Sequence, residues 1–321
     1  MIAVLAGGGG APKYMRGLAR EVPAADVTGI VNTGDDLVLH GLRISPDLDS
    51  CTYLLSGAVN PDTGWGLAGE TWGAMEALER FAPVVPAGSA AGATWFRLGD
   101  RDLATHLYRT ARLGEGADLA TVTAEITRAF GIDVRLLPMT TDRVATMVTV
   151  VDDGEGDGKQ REISFQDYFV GRRHDVPVAA IRFDGIERAR PGPGVLDALA
   201  TAERIVIGPS NPFVSIGPIL AVAGVRDALA DRRDDVVAVS PIVAGGALKG
   251  PAARMLTELG HEASAVGVAR LYAEVAGTIV IDEADAALAP VVEDVGMRCV
   301  VAPTVMHTVE DAAALAAVTL S

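Results

Sequence analysis

The sequence has few cysteines and few lysines, and it contains no long apolar run. Its two cysteines, Cys51 and Cys299, lie far apart and form no CxxC pair. This argues against a disulfide framework or a zinc site and favours a reducing compartment. No apolar run reaches the roughly 18 residues that a membrane span needs, and no basic segment precedes an apolar one at the start, as in a signal peptide. We therefore expect a cytoplasmic protein that does not enter a membrane.

Acidic residues outnumber basic ones. The sequence has 42 Asp and Glu but only 27 Lys and Arg, which gives a net charge of −15. Such a surface repels the nucleic-acid backbone, so nucleic-acid binding is excluded as a function. A polyphosphate ligand would need local help from a metal ion or a few placed cations. The lysines are Lys13, Lys159 and Lys249, and the first and last lie in glycine-rich loops. A GC-rich genome that favours Arg codons explains so few lysines equally well.

The rest of the composition is that of a globular protein, with 321 residues, 49% apolar and 21% charged. Strand and helix patterns alternate, which predicts an α/β fold with a doubly wound, mostly parallel, Rossmann-like sheet. Strands are predicted at 2–6, 27–31, 134–137, 204–208, 236–240, 277–281 and 298–302. Helices are predicted at 12–21, 68–81, 101–113, 118–130, 191–202, 224–232, 251–259, 264–273 and 308–319.

We interpret residues 1–321 as a single α/β domain. Its core would be about 1–50 and 191–321, with a β-rich and helical insertion over about 51–190. Within the insertion, apolar runs on either side of residues 152–158 predict a hairpin near 144–165. Its acidic tip lacks the terminal Glu of a calcium loop, so we interpret it as an exposed turn.

A glycine loop follows the first strand. Gly7 to Gly10 allow backbone conformations that other residues resist, and their N–H groups with the next helix N-terminus would form an anion nest. The loop is neither a Walker loop nor a clean GxGxxG, since Lys13 stands where the third Gly would be. Alone it indicates phosphate binding and a tight turn equally.

Four aspartates lie within 15 residues, namely Asp35, Asp36, Asp47 and Asp49. Pro46 predicts that the last two lie in the turn before a helix, where both can point into one cleft. Carboxylates of this kind suit Mg²⁺, which takes one or two of them plus phosphate oxygens. The alternative is helix N-capping, and we expect at least one role of each kind.

Two further segments carry candidate binding residues. One segment, a loop and a helix, combines three arginines, a histidine and two carboxylates, namely Arg97, Arg101, Arg109, His106, Asp100 and Asp102. These side chains form either a ligand-facing wall or an ion-paired surface. His106 stands four residues after Asp102, so the two could share a helical face. In the second segment, residues 208–212 form a polar loop after a buried strand. Its serine lacks the GxSxG elbow, which excludes a serine hydrolase.

Eight motifs occur in order along nearly the whole chain, and together they resemble the 2-phospho-L-lactate transferase family of deazaflavin coenzyme F420 biosynthesis. The LGDRDLATH stretch separates this family from the gluconeogenesis-factor proteins, which share the fold. The motifs are Gly7-Gly-Gly-Gly-Ala-Pro-Lys13, Asn32-Thr-Gly-Asp-Asp36, Ser45-Pro-Asp-Leu-Asp49, Leu98-Gly-Asp-Arg-Asp-Leu-Ala-Thr-His106, Leu137-Pro-Met139, Phe165-Gln-Asp-Tyr-Phe169, Gly208-Pro-Ser-Asn-Pro212 and Ser240-Pro-Ile242.

The resemblance implies transfer of a phospho-acid group from its guanosine diphosphate ester to the ribityl hydroxyl of the deazaflavin Fo, with release of GMP. The acid would be 2-phospholactate, enolpyruvyl phosphate or phosphoglycerate. The resemblance also implies Mg²⁺ and a homodimer. Asp49 and Arg97 would contact Fo, and the guanosine diphosphate moiety would be held by Gly8, Gly9, Gly10, Lys13, Gly208, Ser210 and Asn211.

Such a transfer needs neutralised phosphates and an aligned hydroxyl. Asp36, Asp47 and Asp49 could hold Mg²⁺, Asp49 could accept the hydroxyl proton, and Lys13 could stabilise the leaving GMP, so the expected catalytic residues are Asp49, Asp36 and Lys13. Two alternatives remain. One is a non-catalytic nucleotide-binding regulator. The other is an NAD oxidoreductase, but such an enzyme needs an acidic residue at the end of the second strand, where this chain has Asn32 and Thr33.

This chain also departs from the family pattern. Gly9 and Ala11 stand where hydroxyl residues are common, and a single Trp65 stands where a tryptophan pair is frequent. The sequence therefore leaves the transferred acid open.

Overall fold

The computed structural model describes residues 1–86, 89–152, 159–248 and 250–321. Lys249 and nearly all of the predicted hairpin tip lie outside these residues. The strands are β1 (Ile2–Ala6), β2 (Val27–Val31), β3 (Leu37–Leu39), β4 (Leu42–Ile44), β5 (Arg135–Pro138), β6 (Ala145–Asp152), β7 (Lys159–Ser164), β8 (Val178–Asp184), β9 (Arg204–Ile207), β10 (Val236–Val239), β11 (Ile242–Val243), β12 (Gly246–Ala247), β13 (Thr278–Ile281) and β14 (Arg298–Val301).

The helices pack around the strands, and the α/β alternation is the predicted one. They are α1 (Gly10–Glu21), α2 (Pro46–Leu55), α3 (Gly73–Glu79), α4 (Asp102–Gly114), α5 (Leu119–Ala129), α6 (Val195–Thr201), α7 (Gly217–Ala221), α8 (Val225–Ala230), α9 (Ala252–Glu258), α10 (Ala265–Tyr272), α11 (Ala289–Asp294) and α12 (Val309–Leu320). None of the described helices is long and apolar enough to cross a membrane.

The main sheet has seven parallel strands in the order β5-β2-β1-β9-β10-β13-β14. The chain builds outward from β1 through β2 to β5, then returns to β9 on the other side of β1 and continues to β14. This order is that of a doubly wound sheet, and the predicted fold class is confirmed. The direction reverses between β1 and β9, where ligands of such sheets bind beyond the carboxyl ends of the strands.

Each strand of the main sheet is apolar because helices cover both faces. In β1 the side chains alternate between two cores. Ala3 and Leu5 join the buried cluster on one face, and Ile2, Val4 and Ala6 join the cluster on the other. This two-layer core fixes the strand ends, and therefore the loops that follow them.

The hairpin predicted near 144–165 is formed by β6 and β7, and β8 extends it to a three-stranded antiparallel sheet in the order β7-β6-β8. It contacts the main body at the loop after β2, where the Thr146 N–H donates to the Gly34 carbonyl at 2.7 Å. A Cβ on Gly34 would lie 2.7 Å from the Thr146 hydroxyl, so this approach requires glycine. The division of the chain into core and insertion stays a prediction.

One local prediction was wrong. Asp47 and Asp49 do not lie in a turn before a helix; they lie in the first turn of α2 itself, with Pro46 at its first position. Proline is favoured there because its missing N–H would have no helical partner. The predicted helix at 68–81 is also shorter, because Gly69 has a positive φ of 68° and α3 begins only at Gly73.

Helix α1 packs against α12 so closely that Gly17 has no room for a side chain. A Cβ at Gly17 would lie 2.2 Å from the Ala312 carbonyl carbon. We expect Gly17→Ala to lower the free energy of unfolding by about 1–3 kcal/mol through overpacking. Gly114 at the end of α4 has nothing within 4 Å of a built Cβ, so Gly114→Ala should be neutral or slightly stabilising. Urea unfolding of both variants checks this, and equal midpoints would contradict it.

Candidate active site

The glycine loop after β1 and the polar loop after β9 meet at the switch point. Ser210 donates its hydroxyl to the Gly7 carbonyl at 2.6 Å. A Cβ on Gly10 would lie 2.0 Å from the Pro209 carbonyl oxygen, and one on Gly208 would lie 2.6 Å from the Ala11 Cβ. Glycine at these positions is thus what allows the two backbones to approach. The two loops predicted to hold a guanosine diphosphate form one site.

Backbone N–H groups are the main donors that this site offers. Helix α1 begins at Gly10 with Gly9 as its N-cap, and no described side chain caps it. Its first N–H groups and its dipole therefore favour an anion. Gly8, with a φ of 61°, directs its own N–H to the Asp47 carboxylate at 2.8 Å. Gly9 and Gly10 remain the better placed donors for a phosphate.

The predicted side-chain donors have different positions. Ser210 joins the two loops, and Asn211 accepts hydrogen bonds from the Phe213 and Val214 N–H groups at 2.9 and 3.4 Å, which caps the following turn. Both side chains therefore shape the loop. Lys13 is exposed on the first turn of α1. A direct contact of Lys13, Ser210 or Asn211 with the nucleotide stays a prediction.

Asp47 connects three segments at the site. Besides the Gly8 N–H, it accepts a hydrogen bond from Asn32 Nδ2 at 2.9 Å. Asn32 follows β2 directly, and Asp47 lies in the first turn of α2. Burial raises the pKa of Asp47 to about 6, although both hydrogen bonds oppose the rise. Because both carboxylate oxygens have protein donors, Asp47 is a structural link between the loops.

Asp49 belongs to a buried ionic cluster. Both of its oxygens accept hydrogen bonds from the Arg109 guanidinium, whose side chain is only 2% exposed. His106 lies between two carboxylates, with its Nδ1 3.7 Å from Asp49 Oδ2 and its Nε2 3.2 Å from Asp102 Oδ2. Tyr53 donates its hydroxyl to Asp102. The predicted proximity of Asp102 and His106 is confirmed. Asp49 is thus a neutralised anion held between α2 and α4.

Like Asp35, Asp36 has one carboxylate oxygen that accepts no hydrogen bond from the described residues. Ser45 donates to its Oδ2 at 2.7 Å, whereas the buried Oδ1 has no hydrogen-bond partner among the described residues. Burial raises the pKa of Asp36 to about 8, and the Ser45 hydrogen bond and the charge of Arg109 oppose the rise. Such a carboxyl exchanges protons near neutral pH, as a general base does.

Asp36 lies in the wall of a cleft of about 1210 Å³. The cleft lies between the β3–β4 hairpin, parts of residues 82–86 and 89–95, the end of α4 and the start of β6. Its polar wall includes Thr33, Ser45 and Asp142, and Trp95, 40% exposed, contributes a flat apolar face. A cleft with an apolar wall and a few polar groups suits a planar organic molecule.

Arg97 is not among the residues that line this cleft. Its guanidinium instead lies 4.9 Å from the ring centroid of Trp72, which itself packs against Trp65. The structure thus places Arg97 on a tryptophan pair and Asp49 beside Arg109. The predicted joint contact of Asp49 and Arg97 with an acceptor stays a prediction.

The structure gives the predicted metal ligands Asp36, Asp47 and Asp49 different surroundings, and their role in binding a metal ion stays a prediction. Within the part of the chain that the structure describes, no three or more His, Cys, Asp or Glu side chains gather as ligands. Asp47 and Asp49 bond to protein donors with both oxygens. By contrast, Asp35 Oδ1, Asp36 Oδ1 and Thr33 Oγ1 are buried and have no partner among the described residues. These hard oxygens fit Mg²⁺ together with phosphate oxygens.

Comparison with known proteins identifies the family. Residues 2–301 match the family described as 2-phospho-L-lactate transferase CofD. The chain belongs to this family. It is therefore a transferase of coenzyme F420 biosynthesis, as the sequence motifs predicted.

Similar CofD-family proteins carry a more specific name. A phosphoenolpyruvate transferase of Streptomyces griseus subsp. griseus is 44% identical over 98% of this chain and 96% of its own length. The enzyme of the same name from Mycolicibacterium smegmatis is 40% identical, over 88% of this chain and 86% of its own length. Among solved structures, protein BH3568 of Bacillus halodurans matches with a TM-score of 0.60 at 16% identity, over 100% of this chain and 99% of that one. This last similarity concerns the fold.

Several functional side chains of the CofD-family site were missed by sequence reasoning. Arg109 stood out only as one of three arginines, although its position three residues after His106 places both on one helical face. Ser45 and Asn32 gave no signal beyond their place in the motifs. Their roles depend on contacts across 9 and 15 residues of sequence, which spacing alone does not predict.

The raised pKa of Asp36 has a measurable effect on stability. A carboxyl whose folded pKa exceeds its unfolded value destabilises the fold as pH rises towards the folded pKa. We expect the ligand-free protein to lose thermal stability from pH 6 to 8.5, and Asp36→Asn to reduce that loss. Asp184→Asn is the control, because ion pairing with Arg182 lowers the pKa of Asp184. Identical slopes of melting temperature against pH in wild type and Asp36→Asn would contradict the prediction.

Proposed function

We propose that this CofD-family enzyme transfers a phospho-acid group from its guanosine diphosphate ester to the ribityl hydroxyl of Fo. The hydroxyl oxygen forms a bond to the phosphorus that carries the acid. The bond from that phosphorus to the GMP phosphate breaks, and GMP leaves. The names of the similar proteins favour enolpyruvyl phosphate as the transferred group.

The observation that carries the proposal is the link between the two halves of the site. The glycine loops and the uncapped α1 suit the diphosphate, and the cleft beside Asp36 suits the deazaflavin. Asn32, in the same loop as Asp36, bonds to Asp47, which in turn holds the Gly8 N–H. Phosphate donor and acceptor hydroxyl would therefore meet at the carboxyl ends of β1 and β2.

We assign the proton-accepting role to Asp36. Asp36 lines the acceptor cleft, its buried Oδ1 has no hydrogen-bond partner among the described residues, and its pKa of about 8 suits a base near neutral pH. Asp49 is a weaker candidate because the Arg109 guanidinium occupies both of its oxygens. Asp49 would then act by holding the N-terminal turn of α2 in place.

Mg²⁺ would be held by phosphate oxygens of the donor together with the buried oxygens of Asp35 and Thr33. Asp35 lies beside Asn32 and Thr146, and the nearby charge of Asp47 adds to burial in raising its pKa. A bound cation would relieve this concentration of buried carboxylates. When bound, Mg²⁺ supplies positive charge to the transferring phosphoryl group and to the leaving phosphate.

We also propose that the enzyme acts in the cytoplasm as a homodimer. The distant cysteines and the family resemblance support this proposal. Size-exclusion chromatography with light scattering tests the dimer.

The reaction itself is tested by mixing the purified protein with Fo, Mg²⁺ and each of three guanosine diphosphate esters, those of enolpyruvate, lactate and glycerate. Products are followed by mass spectrometry. We expect the enolpyruvyl adduct of Fo together with GMP. The absence of any phospho-acid adduct with all three donors would contradict the proposal and favour a nucleotide-binding regulator.

Substitution of Asp36 tests its proton-accepting role. Asp36→Asn should lower kcat by about 10²- to 10⁴-fold, because an amide cannot accept the hydroxyl proton, and it should leave the KM for the donor nearly unchanged. Asp184→Asn, an exposed carboxyl on β8, serves as the matched control. Steady-state kinetics at saturating Mg²⁺ give the answer; wild-type kcat in Asp36→Asn would refute the proton-accepting role.

A further inference from the structure

Among the described residues, Arg109 is the largest fully buried side chain, whereas most of the other arginines are exposed. It lies on α4, outside the glycine loops and outside the wall of the cleft. Burying an arginine is costly unless its charge and donors are satisfied. Its partners therefore indicate what it does.

The Arg109 guanidinium contacts both sides of the proposed site. On one side it binds both oxygens of Asp49 in the first turn of α2. On the other side its Nη1 donates to the Arg43 carbonyl of β4 at 3.4 Å. The next residue on α4, Thr110, accepts a hydrogen bond from the Arg43 N–H at 2.8 Å. Helix α4 thus fixes the position of β4.

These contacts lead from the cleft to the phosphate loop. Arg43 lines the cleft. Asp49 lies on the same turn of α2 as Asp47, which holds the Gly8 N–H. Ser45, just before α2, holds the Asp36 carboxylate. One guanidinium therefore links the cleft wall to the start of α2, where Ser45 bonds to Asp36 and Asp47 bonds to the glycine loop.

We propose that Arg109 is a positioning residue for the transfer reaction. Through its contacts with Asp49 and Arg43, it holds the acceptor cleft at the correct distance and orientation from the diphosphate loop. This inference rests on the proposed function, since it concerns the geometry of the same two substrates. The planar fork of arginine suits this position, because it pairs with both carboxylate oxygens in a fixed geometry, whereas the lysine ammonium is a compact point charge without that geometry.

The test compares Arg109→Lys and Arg109→Ala with Arg112→Lys and Arg112→Ala. Arg112 is a matched control on the same helix, ion-paired to Glu115 and Glu125 at the surface. We expect Arg109→Lys to raise the KM for Fo about tenfold and to lower kcat about 10- to 100-fold, as misplacement of a substrate does. The KM for the guanylyl donor should stay near the wild-type value, because Asp47 keeps its own bonds to Gly8 and Asn32.

Two further measurements separate positioning from loss of the fold. The melting temperature of each variant is recorded, and kcat is divided by the folded fraction. For Arg109→Ala, added guanidinium ion should restore part of the activity, because it can occupy the space left beside Asp49. If Arg109→Ala does not fold, Arg109→Lys alone carries the comparison.

The inference is overturned if Arg109→Lys matches Arg112→Lys in both KM values and in kcat per folded molecule. It is also overturned if kcat falls while the KM for Fo and its binding by calorimetry stay at wild-type values. A wild-type protein that binds Fo and donor but forms no adduct refutes the proposed reaction instead, and Fo affinity in the Arg109 variants then tests the positioning role by itself.

Discussion

The two hydrogen bonds of Asp47 are the interaction on which the site depends. They hold the glycine loop after β1, the loop after β2 and the start of α2 together. Without them, the phosphate-binding backbone and the acidic loop would be two separate surface features. The loop after β9 joins this group because glycine lets it approach the loop after β1 closely. The parallel sheet supplies the frame, because its two-layer core fixes where each strand ends.

Electrostatics explain why this arrangement suits a phosphate chemistry that needs a cation. Asp35, Asp36, Asp47 and Asp49 crowd one region, and Arg109 neutralises only one of them directly. Burial raises the pKa values of the other three, and neighbouring carboxylates add to the rise for Asp35 and Asp36. A magnesium ion would bring the charge that the protein lacks, and the uncapped N-terminus of α1 would hold phosphate without further basic side chains. An acidic protein with few lysines can in this way bind a diphosphate.

The sequence predicted the sheet well because parallel strands buried on both faces are continuous apolar runs, as in β1 and β10. It also predicted the polar loops that follow β1, β2 and β9, two of which the structure joins through Ser210 and Gly7. Helix α2 was missed because its first turn is acidic and begins with Pro46, which indicates a turn as readily as a helix. The partner of Asp49 was missed because Arg109 lies 60 residues away and meets it only through packing of α2 and α4. The cleft beside Asp36 is likewise a product of tertiary structure, to which no local pattern corresponds.

The central claim is that the diphosphate and the deazaflavin bind on either side of Asp36. A crystal structure with GDP, Mg²⁺ and Fo tests it most directly. The account predicts phosphate oxygens at the Gly9 and Gly10 N–H groups, the deazaflavin ring against Trp95, and the terminal ribityl hydroxyl in hydrogen-bond contact with Asp36. A deazaflavin ring stacked instead at Trp72 and Arg97, with its ribityl hydroxyl away from Asp36, would contradict it.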